Sequence, residues 1–486
     1  MVASEAIPFA KTGGLADVVG ALPRALSQLG HSVDLVMPRY RGVTAGESVG
    51  RVRVPLGRHG ADACMFAHRE GDIQTLFVDH PAYFDRDYLY GPAGGDYPDN
   101  PERFAFLSRA ALEWAATSPD GYDVIHAHDW QSGLVPVFLK QGVAPALRRV
   151  PVIFTIHNLA YQGMADPSWL TRLGLGSDLM HPDALEFWGR ISLLKGGIVF
   201  SQLITTVSPR YAVEIQTPDY GCGFEGLLQS RSGDLVGIVN GIDYDQWNPA
   251  RDPYLPEPFE AARLDGKVAA KRALLQSAGW PSDDAGLFRP LVGLVSRMVD
   301  QKGFDLLADL ADTLPTLGAR FVVLGTGEQR YEDFWRALAA RFPDCVAATI
   351  GFDEGMAHRI EGGADVFLMP SRFEPCGLNQ MYSQRYGTIP VVRATGGLAD
   401  TVRNYDSTTG RGTGFTFDEY SSQALLSTLR WALRTYEDRP AWRRLQLAGM
   451  QQDFSWDRSA RQYVSLYERA GLGGAAHAHA ALHPST

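Results

Sequence analysis

Five short segments bring charged or reactive side chains to places where an apolar run gives way to a loop. Lys11-Thr-Gly-Gly14 sets a cation beside a Gly-Gly turn, which suits the diphosphate of a nucleotide sugar or, as readily, a solvated lysine next to a tight turn. In Ile125-His-Ala-His-Asp-Trp130, His126 and His128 share one strand face. A metal there needs further ligands, and none is evident nearby. Asp129, at the strand end, is placed to bind a sugar hydroxyl or to orient a base. Thr155-Ile-His-Asn-Leu-Ala-Tyr-Gln-Gly163 delivers His157 and Asn158 to a loop, where His157 is either a satisfied core histidine or a ligand-facing one. Ser296-Arg-Met-Val-Asp-Gln-Lys-Gly303 offers the planar fork of Arg297 and the point charge of Lys302, a pair able to neutralise a departing diphosphate or simply to balance surface acid. Met369-Pro-Ser-Arg-Phe-Glu-Pro-Cys-Gly-Leu378 places Glu374 before a proline and a glycine turn. That setting can aim the carboxylate and the amides around Cys376, Gly377 and Leu378 at one ligand; the other reading of Glu374 is a helix-start carboxylate. Cys376 has no paired histidine in the sequence and reads as a structural thiol.

Composition narrows the ligand class. The 486 residues carry 45 Lys+Arg against 55 Asp+Glu, a formal charge of −10. The excess acid argues against a basic face for nucleic acid or an anionic membrane, so an anionic ligand must meet a local basic pocket. No run approaches the ~18 apolar residues of a membrane span. Met1-Val-Ala-Ser-Glu5 lacks the basic and apolar regions of a secretory signal. Cys64, Cys222, Cys345 and Cys376 show no CxxC spacing and are sparse for a disulfide scaffold, which points to a reducing cytoplasm.

The elements that must position these residues read as alternating βαβ units. Strands are expected at Val33–Met37, Asp123–His126, Val152–Ile156, Leu203–Val207 and Val236–Val239, then at Leu291–Ser296, Arg320–Leu324, Ala347–Gly351, Asp365–Met369 and Ile389–Arg393. Helices are expected at Phe304–Leu314 and Tyr331–Phe342 from their apolar spacing. Five strands on either side of Asn240–Pro249 suggest two doubly wound halves, and Pro249, Pro253, Pro256 and Pro258 suit a connection between them. Ligands of such sheets bind beyond the carboxyl ends of the strands, so two facing halves would enclose a deep cleft. Gly13-Gly-Leu-Ala-Asp17 recurs as Gly396-Gly-Leu-Ala-Asp400, each copy a glycine loop entering a helix. Only Met1 to Glu5 precede Ala6-Ile-Pro8, so the strand feeding the first glycine loop reads as clipped and its neighbours' backbone groups as partly unpaired.

Together these segments resemble bacterial glycogen synthase and plant starch synthase, the ADP-glucose-using glucan synthases. The resemblance is carried in order along the chain by Lys11–Asp17, His126–Trp130, Thr155–Gly163, Asn240–Pro249, Ser296–Gly303, Pro370–Leu378 and Thr395–Val402. It implies an α/β fold of GT-B type, two Rossmann-like doubly wound domains facing an interdomain cleft. It implies retaining transfer of glucose from ADP-glucose to the nonreducing 4-hydroxyl of an α-1,4-glucan, with no cofactor and no obligatory metal, beside the composition's indication of no nucleic acid and no membrane as partners. Residue by residue, Arg297 and Lys302 look like the diphosphate clamp. Lys11, Gly13, Gly14 and Asp17 look like a loop at the donor phosphates. His157, with Asn158, would lie beside the donor glucose, supported by Asp129. Glu374 and the amides of Cys376, Gly377 and Leu378 would contact glucose hydroxyls, and Phe352 would stack on adenine where some members carry tyrosine. Asn379 stands where some relatives have a phosphate-contacting threonine.

The expected domains are 1–238, completed by a final helix over 454–470, and 239–453, with 471–486 a fraying tail. Other classes consistent with the pattern are a sucrose synthase-type transferase, a nucleotide-sugar epimerase and a nonenzymatic glucan-binding protein. The EPCGL context and the paired GGLAD segments favour glucan synthesis.

Overall fold

The computed structural model describes residues 1–92 and 95–480, with side chains to 471. The chain forms two compact units. One comprises Met1–Val207, Ala212–Ile238 and the chain from Trp456; the other comprises Ser208–Tyr211 and Val239–Ser455.

The sheet of the first unit contains β1 (Val33–Pro38), β2 (Glu47–Leu56), β3 (His59–Glu70), β4 (Ile73–Asp79), β5 (Ile125–His128) and β6 (Val152–Ile156). A small side sheet follows, made of β7 (Met164–Ala165), β8 (Glu186–Phe187) and β9 (Arg190–Ser192), and then β10 (Leu203–Thr206) and β11 (Leu235–Gly237) complete the main sheet. The orders are β1-β4-β3-β2 and β11-β10-β6-β5. Met1–Ala3 joins the two runs, because Val2 bridges in parallel to both Val36 and Ala127. Val36 N–H donates to the Met1 carbonyl at 2.8 Å and His128 N–H to the Val2 carbonyl at 3.1 Å. The backbone groups expected to lack partners at this place are therefore paired.

Several elements here depart from the sequence expectation, β5 and the β2–β3 pair most clearly. β5 begins two residues later than expected, since it is aligned by Ile125 N–H donating to the Pro151 carbonyl and by its pairing with β6. The antiparallel β2–β3 pair was not anticipated. β2 alternates buried Val52, Val54 and Leu56 with exposed Arg51, Arg53 and Pro55, the period of a strand wet on one face and not of a buried parallel one. The helix Gly14–Gln28 sets Val18, Leu22 and Leu26 along one stripe, packed in a common core with Trp456, Tyr463, Leu466 and Ala470 of the final helix. That helix runs Trp456–Ala480. Residues 471–480 of the expected tail are thus helical in backbone, consistent with the helix propensity of Ala475, Ala476, Ala478 and Ala480. Residues 481–486 lie outside the described residues.

Among the described residues the second unit holds a six-stranded parallel sheet: β12 (Leu291–Val295), β13 (Arg320–Gly325), β14 (Val346–Ile350), β15 (Val366–Met369), β16 (Ile389–Arg393) and β17 (Phe415–Phe417). The order β14-β13-β12-β15-β16-β17 is the doubly wound 3-2-1-4-5-6 arrangement. Its strands are buried on both faces, as Leu291–Leu294 and Arg320–Gly325 show. The helix expected at Phe304–Leu314 stops at Asp309, ahead of a separate turn at Leu314–Thr316 that contains Pro315. The proline-bearing stretch after Asn240 is packed into this unit. Trp247 stacks between His358 and Tyr382, each at 3.8 Å, and Asp252 accepts from His358 at 2.7 Å.

Candidate active site

In the second unit the strand order reverses between β12 and β15, so the loops leaving those two strands flank the switch point where an open α/β sheet binds its ligand. Ser296–Gly303 leaves β12 and Pro370–Leu378 leaves β15. Gly303 takes φ 76°, and a Cβ there would lie 2.1 Å from the Pro370 carbonyl oxygen, so a glycine is what lets the two loops touch. Lys302 Nζ donates to Glu374 Oε2 at 2.5 Å, and Ser371 Oγ donates to the same oxygen at 3.0 Å. Glu374 is 5% exposed, whereas Arg297 is exposed and forms no ion pair among the described residues. A buried carboxylate tied to a lysine beside an uncommitted arginine leaves net positive charge for an anion.

The helix Gly396–Thr401 supports this loop from behind. Gly397 N–H donates to the Glu374 carbonyl at 3.1 Å and to that of Pro375 at 3.2 Å. Asn379, next along, donates from its side-chain amide to the Val295 carbonyl at 3.0 Å, which ties the start of its helix to the end of β12. Cys376 is buried, and burial pushes its thiol up to about 12, so it is no nucleophile. Gly377 has φ 71° and turns the chain so that the Leu378 backbone enters the helix Asn379–Arg385. Phe352, in the loop after β14, is 88% exposed; no packing role accounts for a phenyl ring held in water.

In the first unit the corresponding reversal falls between the Met1–Ala3 segment and β5. The loop leaving Met1–Ala3 carries Lys11 and Gly13 and runs into the helix that begins at Gly14 and holds Asp17 in its first turn. Lys11 Nζ pairs with Asp17 Oδ1 at 2.6 Å. Burial raises the Asp17 carboxyl, and the lysine opposes that shift. Glu5 was not singled out from the sequence, yet it organises the loop. It accepts from Thr12 N–H, from Thr12 Oγ at 2.7 Å, from Gly13 N–H at 3.4 Å and from the Tyr90 hydroxyl. Two of the amides expected to face an anion are therefore held by a carboxylate of the chain itself. A signal was available: an acidic residue directly after an apolar segment and ahead of a glycine loop.

Asp129 and His157 come together at the ends of β5 and β6. Asp129 has φ 56°, an uncommon conformation for a non-glycine residue, and its Oδ1 accepts from His157 N–H at 2.7 Å. Burial drives its carboxyl up to about 7, against the pull of the His157 and Asn158 amides. Asn158 Oδ1 accepts from Ala160 N–H at 3.1 Å and shapes the loop. His157 is 8% exposed, and burial lowers its imidazole to about 3, so it is neutral. His126 binds the Tyr467 hydroxyl at 2.9 Å and Thr155 Oγ at 2.6 Å. His128 binds His157 at 3.1 Å. Both histidines that raised the metal reading are thus engaged with neighbouring side chains.

Comparisons with known proteins agree with this geometry. Residues 1–230 match the family model "Starch synthase catalytic domain", and residues 286–445 match "Glycosyl transferases group 1". The chain is 48% identical to the glycogen synthase of Koribacter versatilis, covering 96% of this chain and 97% of that one. It is 50% identical to the glycogen synthase of Anaeromyxobacter dehalogenans strain 2CP-C, covering 96% and 98%. The catalytic domain of starch synthase IV from Arabidopsis thaliana, solved bound to ADP and acarbose, superposes with a TM-score of 0.89 at 37% identity, covering 97% of this chain and 98% of that one. Sucrose-phosphate synthase from Thermosynechococcus elongatus shares the fold at a TM-score of 0.61 and 17% identity. No helix among the described residues is long and apolar enough to cross a membrane. With its two Rossmann-like units of GT-B type, the chain belongs to the glycogen and starch synthase family of glycosyltransferases.

Proposed function

We propose that the chain transfers glucose from ADP-glucose to the nonreducing 4-hydroxyl of an α-1,4-glucan, with retention of configuration and release of ADP. The observation that carries this reading is the switch-point constellation of the second unit: Arg297 uncommitted and Lys302 bonded to buried Glu374. Breaking the anomeric C–O bond gives the sugar oxocarbenium character and leaves negative charge on the diphosphate. Fixed cations at that point stabilise the transition state more than the ground state. The acceptor oxygen bonds C1 from the face that ADP leaves, and the 4-hydroxyl proton passes to the departing phosphate. No separate protein base is needed in this scheme.

In the same reading Glu374 orients Lys302 and binds sugar hydroxyls with the amides of Cys376, Gly377 and Leu378, and exposed Phe352 stacks on adenine. Lys11 and the open Gly13-Gly14 turn contribute to the donor phosphates, Asp129 holds the His157 loop, and His157 with Asn158 meets the donor glucose. The four cysteines are free, in keeping with a reducing cytoplasmic setting. The experiment is to supply ADP-glucose, and UDP-glucose in parallel, with a maltooligosaccharide, and to follow nucleotide release and chain length. ADP release matched by α-1,4 chain extension is expected. Free fructose as the better acceptor, an epimerised sugar nucleotide, or no turnover would replace this reading with one of the other classes.

A further inference from the structure

His128 lies in the same motif as Asp129 and has no part in the reading above. β5 runs parallel to β6 with His128 opposite Thr155, and the chain two residues beyond Thr155 brings His157 alongside. The ring centroids are 5.3 Å apart, and His128 Nδ1 lies 3.1 Å from His157 Nε2. Burial lowers both imidazoles well below their ordinary range, so both are neutral and one of these two nitrogens donates to the other.

The direction follows from the far side of His128. Its Nε2 is buried without a hydrogen-bond partner among the described residues. His126, whose ring lies tilted at a centroid distance of 4.0 Å, cannot serve it, because both His126 nitrogens are already bonded to Tyr467 and Thr155. A buried N–H without an acceptor is the rarer and costlier arrangement, so the proton of His128 resides on Nδ1. His157 Nε2 then accepts, and the single proton of His157 resides on Nδ1, which no described residue binds. We propose that His128 is a positioning residue whose Nδ1–H fixes His157 as the Nδ1-protonated tautomer, so that His157 presents a donor to a hydroxyl oxygen of the donor sugar. The last clause rests on the proposed placement of His157 beside that sugar.

The test uses full-length protein with nitrogen-15-labelled imidazoles, and two-bond hydrogen–nitrogen NMR correlations to read each tautomer. His157 is assigned by the signals lost in His157→Gln. His128→Asn keeps an amide N–H near the place of Nδ1, whereas His128→Gln moves the amide to the place of Nε2. The expected spectrum shows His157 protonated on Nδ1 in wild type and in H128N, and a tautomer mixture in H128Q. Turnover in H128Q should fall roughly 10- to 100-fold, the range for lost outer-shell partners of a functional histidine, with KM for glucan unchanged and H128N close to wild type. An Nε2-protonated His157 in wild type overturns the proposal whether or not either variant folds. So does an H128Q that matches H128N in both tautomer and turnover. Undiminished turnover in H157Q would instead overturn the sugar-contact reading, with the tautomer assignment still decided by the spectrum.

Discussion

The pentapeptide Gly-Gly-Leu-Ala-Asp opens a helix in each unit, at residues 13–17 and again at 396–400, yet the two copies obey different constraints. At the first, Gly13 is extended with φ −155°, and a Cβ on Gly13 or Gly14 would meet nothing within 4 Å among the described residues. At the second, Gly396 has φ 44°, and a Cβ there would lie 1.9 Å from the Glu374 carbonyl oxygen. A Cβ on Gly397 would lie 2.0 Å from that of Cys376. The acids differ as well: Asp17 pairs with Lys11, whereas Asp400 accepts the Arg210 backbone N–H at 2.8 Å. One copy keeps space open in front of a helix N-terminus, and the other removes side chains so that the Glu374 loop can pack on it. Identical letters therefore identify a local shape, and only the surroundings identify its use.

The largest effect should come from breaking the packed copy. Gly396→Ala adds a left-handed strain and a backbone collision and should cost about 3 kcal/mol or more, read as a fall in melting temperature. Glu374→Gln, on the loop that copy supports, should lower turnover roughly 100-fold while ADP still binds by calorimetry, because Lys302 loses its charged partner. At the open copy, Glu5→Gln removes the charge that gathers Thr12, Gly13 and Tyr90, and should cost about 1–3 kcal/mol in chemical denaturation and raise KM for ADP-glucose.

Asp129 gives a pH signature beside the same copy. Its carboxyl is held up at about 7 from an ordinary 3.8, so between those values the native state keeps a proton that the unfolded chain has lost. This contribution to stability is full below the unfolded value and fades as pH rises through the folded one, by at most about 1.4 kcal/mol per pH unit. Asp129→Asn should flatten that part of the stability–pH curve; an unchanged slope would count against a buried, proton-holding Asp129. The smallest effect is expected at Gly14→Ala, where the helix gains about 0.5–1 kcal/mol while turnover drops because the new methyl occupies the open space. A loss of stability there as large as at Gly396 would erase the difference between the two copies.

Much of the second unit was legible because its strands are buried on both faces. Ile389–Arg393 matches its expected bounds and β12 to β15 each lie within one residue of expectation, and in the first unit the equally buried Val152–Ile156 matches as well. The β2–β3 hairpin escaped because a half-exposed strand with Arg51 and Arg53 pointing outward does not read as an apolar run. The proximity of Lys302 to Glu374 was not legible either, as their loops are 72 residues apart and meet only through the strand order. An acid ahead of a glycine loop marks Glu5 in the sequence, but only the fold shows that it holds the Gly13 amide, or that Gly396 and Gly397 answer to the carbonyls of another loop. Spacing names the residues able to do chemistry, while burial and topology decide which of them meet.

The role proposed for Arg297 and Lys302 is to stabilise charge on the diphosphate leaving ADP-glucose. Steady-state turnover of purified Arg297→Ala and Lys302→Ala with ADP-glucose and an α-1,4-glucan, alongside their melting temperatures, decides it. Turnover should fall by roughly two orders of magnitude or more in each, the loss expected when a preorganised charge partner is removed, with Arg297→Ala melting as wild type because its side chain is exposed. Wild-type turnover in both folded variants would contradict it.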